Sequence, residues 1–195
     1  MKNNTDFYKV IETRRTIRKF KGEKIPKETL LNLIRAAMWA PSAHNAQPWH
    51  FIIIRDKKVK ERLAVSMGEK FREDLLANGF SKEEIEEKVE TSVKRMVSAP
   101  VLIIACLTMR DMDKYPDERR QKAEYVMAVQ SVAAAIQNLL LAAHIEGLGA
   151  CWRCAPLFAK DIVRKVLNIP EDVEPQALIE VGYPDEKPSP PRCST

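Results

Sequence analysis

Val126 to Ile145 is the segment that most restricts what this chain can become. Apolar side chains stand on nearly every side of a helix there, and a helix of that kind must be covered on every side. Its length suits a membrane span, but Gln130, Ser131, Gln137, Asn138 and His144 interrupt it and much of its apolar character comes from Ala. We therefore read a buried helix of a soluble protein, from about Arg119 to Ile145. A single domain of 195 residues struggles to cover such a helix alone, so part of it is expected to pack against a second copy of the chain.

The rest of the composition agrees with one globular domain spanning residues 1–195: 45% of residues are hydrophobic and 30% charged. The net charge of +5 is mild, and acidic and basic residues interleave from Lys57 to Arg95 as on solvated helix faces. No nucleic-acid partner is expected. Four cysteines, Cys106, Cys151, Cys154 and Cys193, are too sparse for a disulfide scaffold, and the N-terminus reads as polar with no signal-peptide pattern, so a cytoplasmic protein is expected.

In chain order, Asp6 is expected to cap a helix in which Phe7, Val10 and Ile11 share a face. The basic stretch from Thr13 to Phe20 follows. Its Arg14-Arg15-Thr16-x-Arg18 cluster, taken alone a solvated patch, also suits a terminal phosphate and a polar ring edge. Pro26 opens a second helix with Leu30, Leu33, Ile34, Ala37 and Met38 as its apolar stripe. That helix delivers Ala40-Pro41-Ser42-Ala43-His44-Asn45-Ala46-Gln47-Pro48-Trp49, a proline-bracketed loop too polar for core. Alone it is a helix-to-strand connection with one packed Trp. It also has the small residues, paired amides and aromatic wall of a site for a planar heteroaromatic ligand.

Trp49 to Arg55 and Val101 to Leu107 read as buried strands, and Ala177 to Tyr183 as a third. Residues 59–98 read as helical, with a break at Asn78-Gly79 and a capping box from Ser81 to Glu84. Whether residues 68–80 or 108–118 form a lid stays open. Gly147 ends the long helix, Pro156 opens another with Phe158, Ile162, Val163 and Val166 inward, and the proline-rich tail from about 184 is expected to be extended.

Several chemistries are absent. Gly147-Leu148-Gly149 lacks the third glycine of a dinucleotide loop, and neither a Walker loop nor a nucleophile elbow occurs. His44, His50 and His144 show no zinc-ligand spacing, so no metal is expected. Cys151-x-x-Cys154 has no second pair, and a structural role is preferred to a redox or metal one.

Four blocks carry a resemblance: Arg14-Arg15-Thr16-Ile17-Arg18, the Ala40–Trp49 loop, Gly147-Leu148-Gly149-Ala150-Cys151-Trp152, and Val181-Gly182-Tyr183-Pro184 with Arg192. In this order, across nearly the whole chain, they resemble the flavin-dependent nitroreductase family. The resemblance implies an α+β fold, a central mostly antiparallel sheet flanked by helices, in an intertwined homodimer with two FMN molecules at the interface. It implies that Arg14, Arg15, Thr16 and Arg18 hold the phosphate, ribityl chain and pyrimidine edge. Pro41, Ser42, Ala43, Asn45 and Gln47 would come from the second copy to line the ring. The backbone of Trp152, Arg153 and Cys154 would face the ring near N5, and Arg192 would return to the phosphate. This chain departs from the family pattern at Arg153-Cys154, where many members carry an apolar residue and Gly, and at Pro190, where a basic residue is frequent.

The implied activity is transfer of hydride from NADH or NADPH through the flavin to an electron-poor small molecule such as a nitroaromatic or quinone. No catalytic side chain is implied, because the cofactor carries the hard step. Relatives that dehalogenate aromatic rings or fragment the flavin are the alternative, as is a flavin-binding module without turnover.

Overall fold

Val101–Thr108, the longest uninterrupted apolar strand sequence, is buried at every residue and has strands on both sides. The computed structural model describes residues 7–190; Asp6, Arg192 and Cys193, and the expectations placed on them, lie outside the described residues. The elements run α1 (Phe7–Thr13), α2 (Lys27–Met38), β1 (Trp49–Ile54), α3 (Lys57–Ala77), α4 (Lys82–Ser98), β2 (Val101–Thr108), α5 (Glu118–Ile145), β3 (Gly149–Arg153), α6 (Lys160–Leu167) and β4 (Val173–Gly182). The four strands form one sheet in the order β1-β2-β4-β3, every pair antiparallel, with helices on both faces. This is the expected α+β architecture.

Side chains alternate across a strand, so β2 supplies two cores at once. Val101, Ile103, Ala105 and Leu107 join the core under α2 and α5. Leu102, Ile104 and Cys106 face the opposite way, into the core under α3, α4 and α6. Each fully buried Leu or Ile contributes about 1.5–3 kcal/mol. Lys60 bridges the second layer to the end of α4: its buried ammonium donates to Ala99 O at 2.5 Å and Val97 O at 3.3 Å, and burial pulls its pKa down.

Several expectations are corrected. β4 begins at Val173 rather than Ala177, across Pro175. The pairing register slips between Ala105 and Cys106, and Cys106 stands opposite Pro175, so the proline occupies an irregularity where its missing N–H breaks no regular ladder. Pro156 opens a 3-10 turn, Ala155–Phe158, separate from α6, and Phe158 points to solvent instead of inward. Met38 is exposed and not part of its helix's stripe, and Phe7 and Ile11 are exposed while Val10 is buried. Trp49 is buried in the β1 core and walls no loop.

The capping box at Ser81 forms as expected: Ser81 N donates to Glu84 Oε2 at 3.0 Å and Glu84 N to Ser81 Oγ at 3.3 Å. Gly68 lies inside α3, where a Cβ would come within 2.9 Å of Val93 on α4.

α5 is covered only in part by its own chain, in line with the sequence reading. A single chain buries one stripe of it, including Ala128, Val132, Ala135, Ile136, Leu139, Leu140 and Ala143. Val126 and Ile145 remain exposed, so the helix is apolar all round but covered on one side only. By length and composition it is still able to cross a membrane.

Candidate functional site

Gly147 adopts φ +73° and ends α5, with Gly147 N donating to His144 O at 3.1 Å and Leu148 N to Ala143 O at 2.8 Å. The chain then turns straight into β3. Against β3 lies the basic segment after α1: Thr16 bridges Ala150 in parallel, and Ile17 N donates to Ala150 O at 3.0 Å. This approach requires glycine at 149, where a Cβ would come within 2.6–2.8 Å of Ile17. The tail comes back along the same segment, with Lys21 N donating to Tyr183 O and Asp185 N to Lys19 O, each at 2.9 Å. From Asp185 to Pro190 it forms neither helix nor strand.

These three strips and the end of α5 enclose a cavity of about 360 Å³ lined by Arg14, Arg15, His144, Ala150, Glu186 and Lys187, among others. Arg15 Nη1 donates to Glu12 O at 2.6 Å and Arg14 O at 2.7 Å, which folds its guanidinium against the end of α1. His144 Nε2 is 2.8 Å from Thr13 Oγ1, whose own hydrogen goes to Lys9 O at 2.6 Å; the imidazole is therefore the donor in that pair. Burial, then the charges of Arg14 and Arg15, hold the His144 pKa below its ordinary value. The guanidinium charges of Arg14 and Arg15 at the lining favour an anion in the cavity. Its one acid, Glu186, accepts from the backbone N–H groups of Arg18 and Lys19, which lower its pKa. A phosphate-bearing ligand fits this donor set.

Trp152 and Cys154 lie beyond Ala150, on and just past the outer strand, and both are exposed. Arg153 alternates to the other sheet face. Its guanidinium donates to the buried Glu180 Oε1 at 2.9 Å and to Ser92 Oγ at 3.2 Å, away from the basic cavity. Arg153 thereby lines a different cavity, between α3, α4 and the 155–158 turn.

The Pro41–Gln47 loop is far from Arg14 in the same chain. Ala43 N donates to Ser131 Oγ at 3.2 Å, which seats the loop beside the first half of α5, whereas the cavity lies at His144. The two are separated along the helix by about 20 Å at 1.5 Å per residue. The loop is held stiffly: His44, Asn45 and Gln47 all have positive φ, at 54°, 50° and 46°, and Gln47 N donates to Ser42 Oγ at 3.1 Å. One chain thus gathers Arg14, Arg15 and Thr16 beside β3 but leaves Pro41, Ser42, Ala43, Asn45 and Gln47 apart. Sequence reasoning missed His144, Glu186 and Lys187; the composition of the tail and of α5 carries no signal that they meet.

The structure is thus a four-stranded antiparallel sheet between two helical layers, with a basic cavity at its edge whose donors suit a phosphorylated ligand. The nitroreductase family model matches residues 11–183, and the chain belongs to that family. A protein of Methanothermobacter thermautotrophicus carrying the name NADH dehydrogenase/NAD(P)H nitroreductase is 33% identical over 94% of this chain and 80% of its own length. Iodotyrosine deiodinase of Thermotoga neapolitana is 34% identical over 95% of this chain and 92% of its own. The crystal structure of oxidized iodotyrosine deiodinase bound to FMN and 3-iodo-L-tyrosine superposes with a TM-score of 0.76, at 30% identity, covering 97% of this chain and 96% of that one.

Proposed function

We propose that this chain is an FMN-dependent NAD(P)H oxidoreductase acting as a homodimer on small electron-poor acceptors. The reading is carried by the cavity that Arg14 and Arg15 make electropositive, in a chain that belongs to the nitroreductase family. Bound FMN would supply the redox chemistry, accepting hydride from NADH or NADPH and passing it to a nitroaromatic or quinone.

The residues do the rest. Arg14, Arg15, Thr16 and Arg18 would together hold the phosphate, the ribityl chain and the pyrimidine edge, where a cation favours the reduced form. Backbone at Trp152, Arg153 and Cys154 would meet the ring from the outer strand, while the phosphate contact expected of Arg192 lies outside the described residues. Pro41, Ser42, Ala43, Asn45 and Gln47 of the second copy close the other side. Support for the second copy comes from the distance between loop and cavity in one chain and from the uncovered apolar side of α5. Three free thiols among the described residues suit a reducing cytoplasm.

Purified protein reconstituted with FMN should be yellow and should bleach anaerobically when NADH or NADPH is added. Protein that stays colourless in excess FMN ends the reading, and flavin that binds but is reduced by neither nicotinamide reduces it to a binding module. A second reading, reductive removal of halogen from an aromatic ring, is favoured by the 34% identity to iodotyrosine deiodinase. Turnover of iodotyrosine but not of a nitroaromatic would select it.

A further inference from the structure

The loop that carries Pro41 also carries a side chain the flavin reading does not use. His44 from the 43–45 turn, Asp113 from the connection between β2 and α5, and Glu124 from α5 bring one ligand atom each to within 4.8 Å of one another. His44 Nε2 is 3.3 Å from Glu124 Oε1 and 4.0 Å from Asp113 Oδ2. The Glu124 side chain is 3% exposed, and its second oxygen, Oε2, is buried with no hydrogen-bond partner.

Counting donors shows what is missing. Two carboxylates approach the same imidazole nitrogen, which carries one hydrogen at most, and that hydrogen does not satisfy Glu124 Oε2. A buried carboxylate oxygen needs a donor or a cation. An imidazole nitrogen and carboxylate oxygens bound at about 2.0–2.2 Å form a ligand set for first-row divalent cations. Donor atoms on such an ion stand about 3–3.6 Å apart, so the His44–Glu124 separation already fits. Asp113 is exposed and on a loop, free to swing the remaining distance.

We propose that His44, Asp113 and Glu124 bind one first-row divalent cation of the zinc class, fastening the 41–47 and 109–117 loops to α5, with water in the remaining positions. The site escapes a search for spaced histidines because its three ligands come from three separate elements. Nothing in it depends on flavin, so it is tested on flavin-free protein and stands or falls apart from the activity.

Tag-free full-length protein is stripped with chelator and titrated with Zn2+ by calorimetry and with Co2+ by visible absorption. One Zn2+ per chain is expected, at micromolar Kd or tighter, with a Co2+ spectrum lacking the intense thiolate band. Glu124→Gln and His44→Gln should each weaken binding about tenfold or more, and Cys154→Ser should leave it unchanged. Should Glu124→Gln fail to fold, Asp113→Asn on the exposed loop takes its place with the same expectation. Absence of saturable Zn2+ binding below about 100 µM overturns the proposal. So does binding that is lost in Cys154→Ser but kept in the Glu124, His44 and Asp113 variants.

Discussion

Arg14 and Arg153 show how differently two arginines singled out from the sequence are used. Arg14 faces the cavity, and losing the charge-assisted phosphate contact proposed for it would remove about 1.5–3 kcal/mol. Arg14→Ala should therefore raise the FMN Kd by about tenfold to a hundredfold in a fluorescence titration; unchanged affinity would contradict the assignment. Arg153 instead neutralises Glu180, which is fully buried and also lies 3.8 Å from Arg95. The cysteines divide by burial. Cys106 has its pKa pushed up to about 12, Cys151 is buried and shifted the same way, and Cys154 is exposed. Of these three, only Cys154 should be alkylated by iodoacetamide in native protein, as peptide mapping would show; labelling of Cys151 at a similar rate would reopen a thiol role. His144 adds a pH dependence. Its folded pKa lies below the ordinary 6.5, so the folded chain binds fewer protons than the unfolded one just below that pH. Flavin-free protein should hold its His144 contribution above pH 6.5 and lose it as pH falls through the lowered folded pKa. Urea midpoints of wild type and His144→Gln should then differ most above pH 6.5 and converge as pH falls.

Among the elements, β3 is the one on which the site depends and the one least marked in the sequence. Gly149 to Arg153 mixes glycine, cysteine, tryptophan and arginine in five residues, with no period to distinguish a strand from a loop. It becomes a strand because β4 offers a free edge and Gly149 admits Ile17. Gly149→Ala forces a methyl into that contact, an overpacking that costs about 1–3 kcal/mol. It should lower the thermal midpoint and weaken FMN binding together. A loss of stability with flavin affinity intact would mean that the basic segment is positioned without β3. β4 and α6 teach the same lesson from the other side: a proline reads as a boundary or a helix start, yet Pro175 is accommodated by a partner strand's irregularity, and Pro156 starts only a short turn.

At the scale of the molecule, α5 joins the proposed dimer, the basic cavity and the candidate cation site. Its covered stripe belongs to the chain's own core, while Val126 and Ile145 stay exposed alongside Phe7, Ile11, Met38 and Trp39 elsewhere on the surface. Sedimentation equilibrium should give a dimer, and Val126→Asp with Ile145→Asp should shift it toward monomer and weaken flavin binding in parallel, because loop and cavity then come apart. A monomeric wild type that binds FMN tightly would refute the shared site.

By itself the sequence determined the helices with strong apolar periods, the buried strands β1 and β2, the capping box at Ser81, and the basic and amide segments that suit a flavin. These are local facts, written in neighbouring residues, and local propensity is enough to express them. Only the tertiary structure decided that Arg153 turns away from the basic cavity, that His144 and Glu186 turn toward it, and that His44 meets Glu124 and Asp113. Each of these is a juxtaposition of residues distant in the chain, fixed by strand register, by the two ends of one long helix and by glycine-sized gaps, and no periodicity along the sequence encodes it.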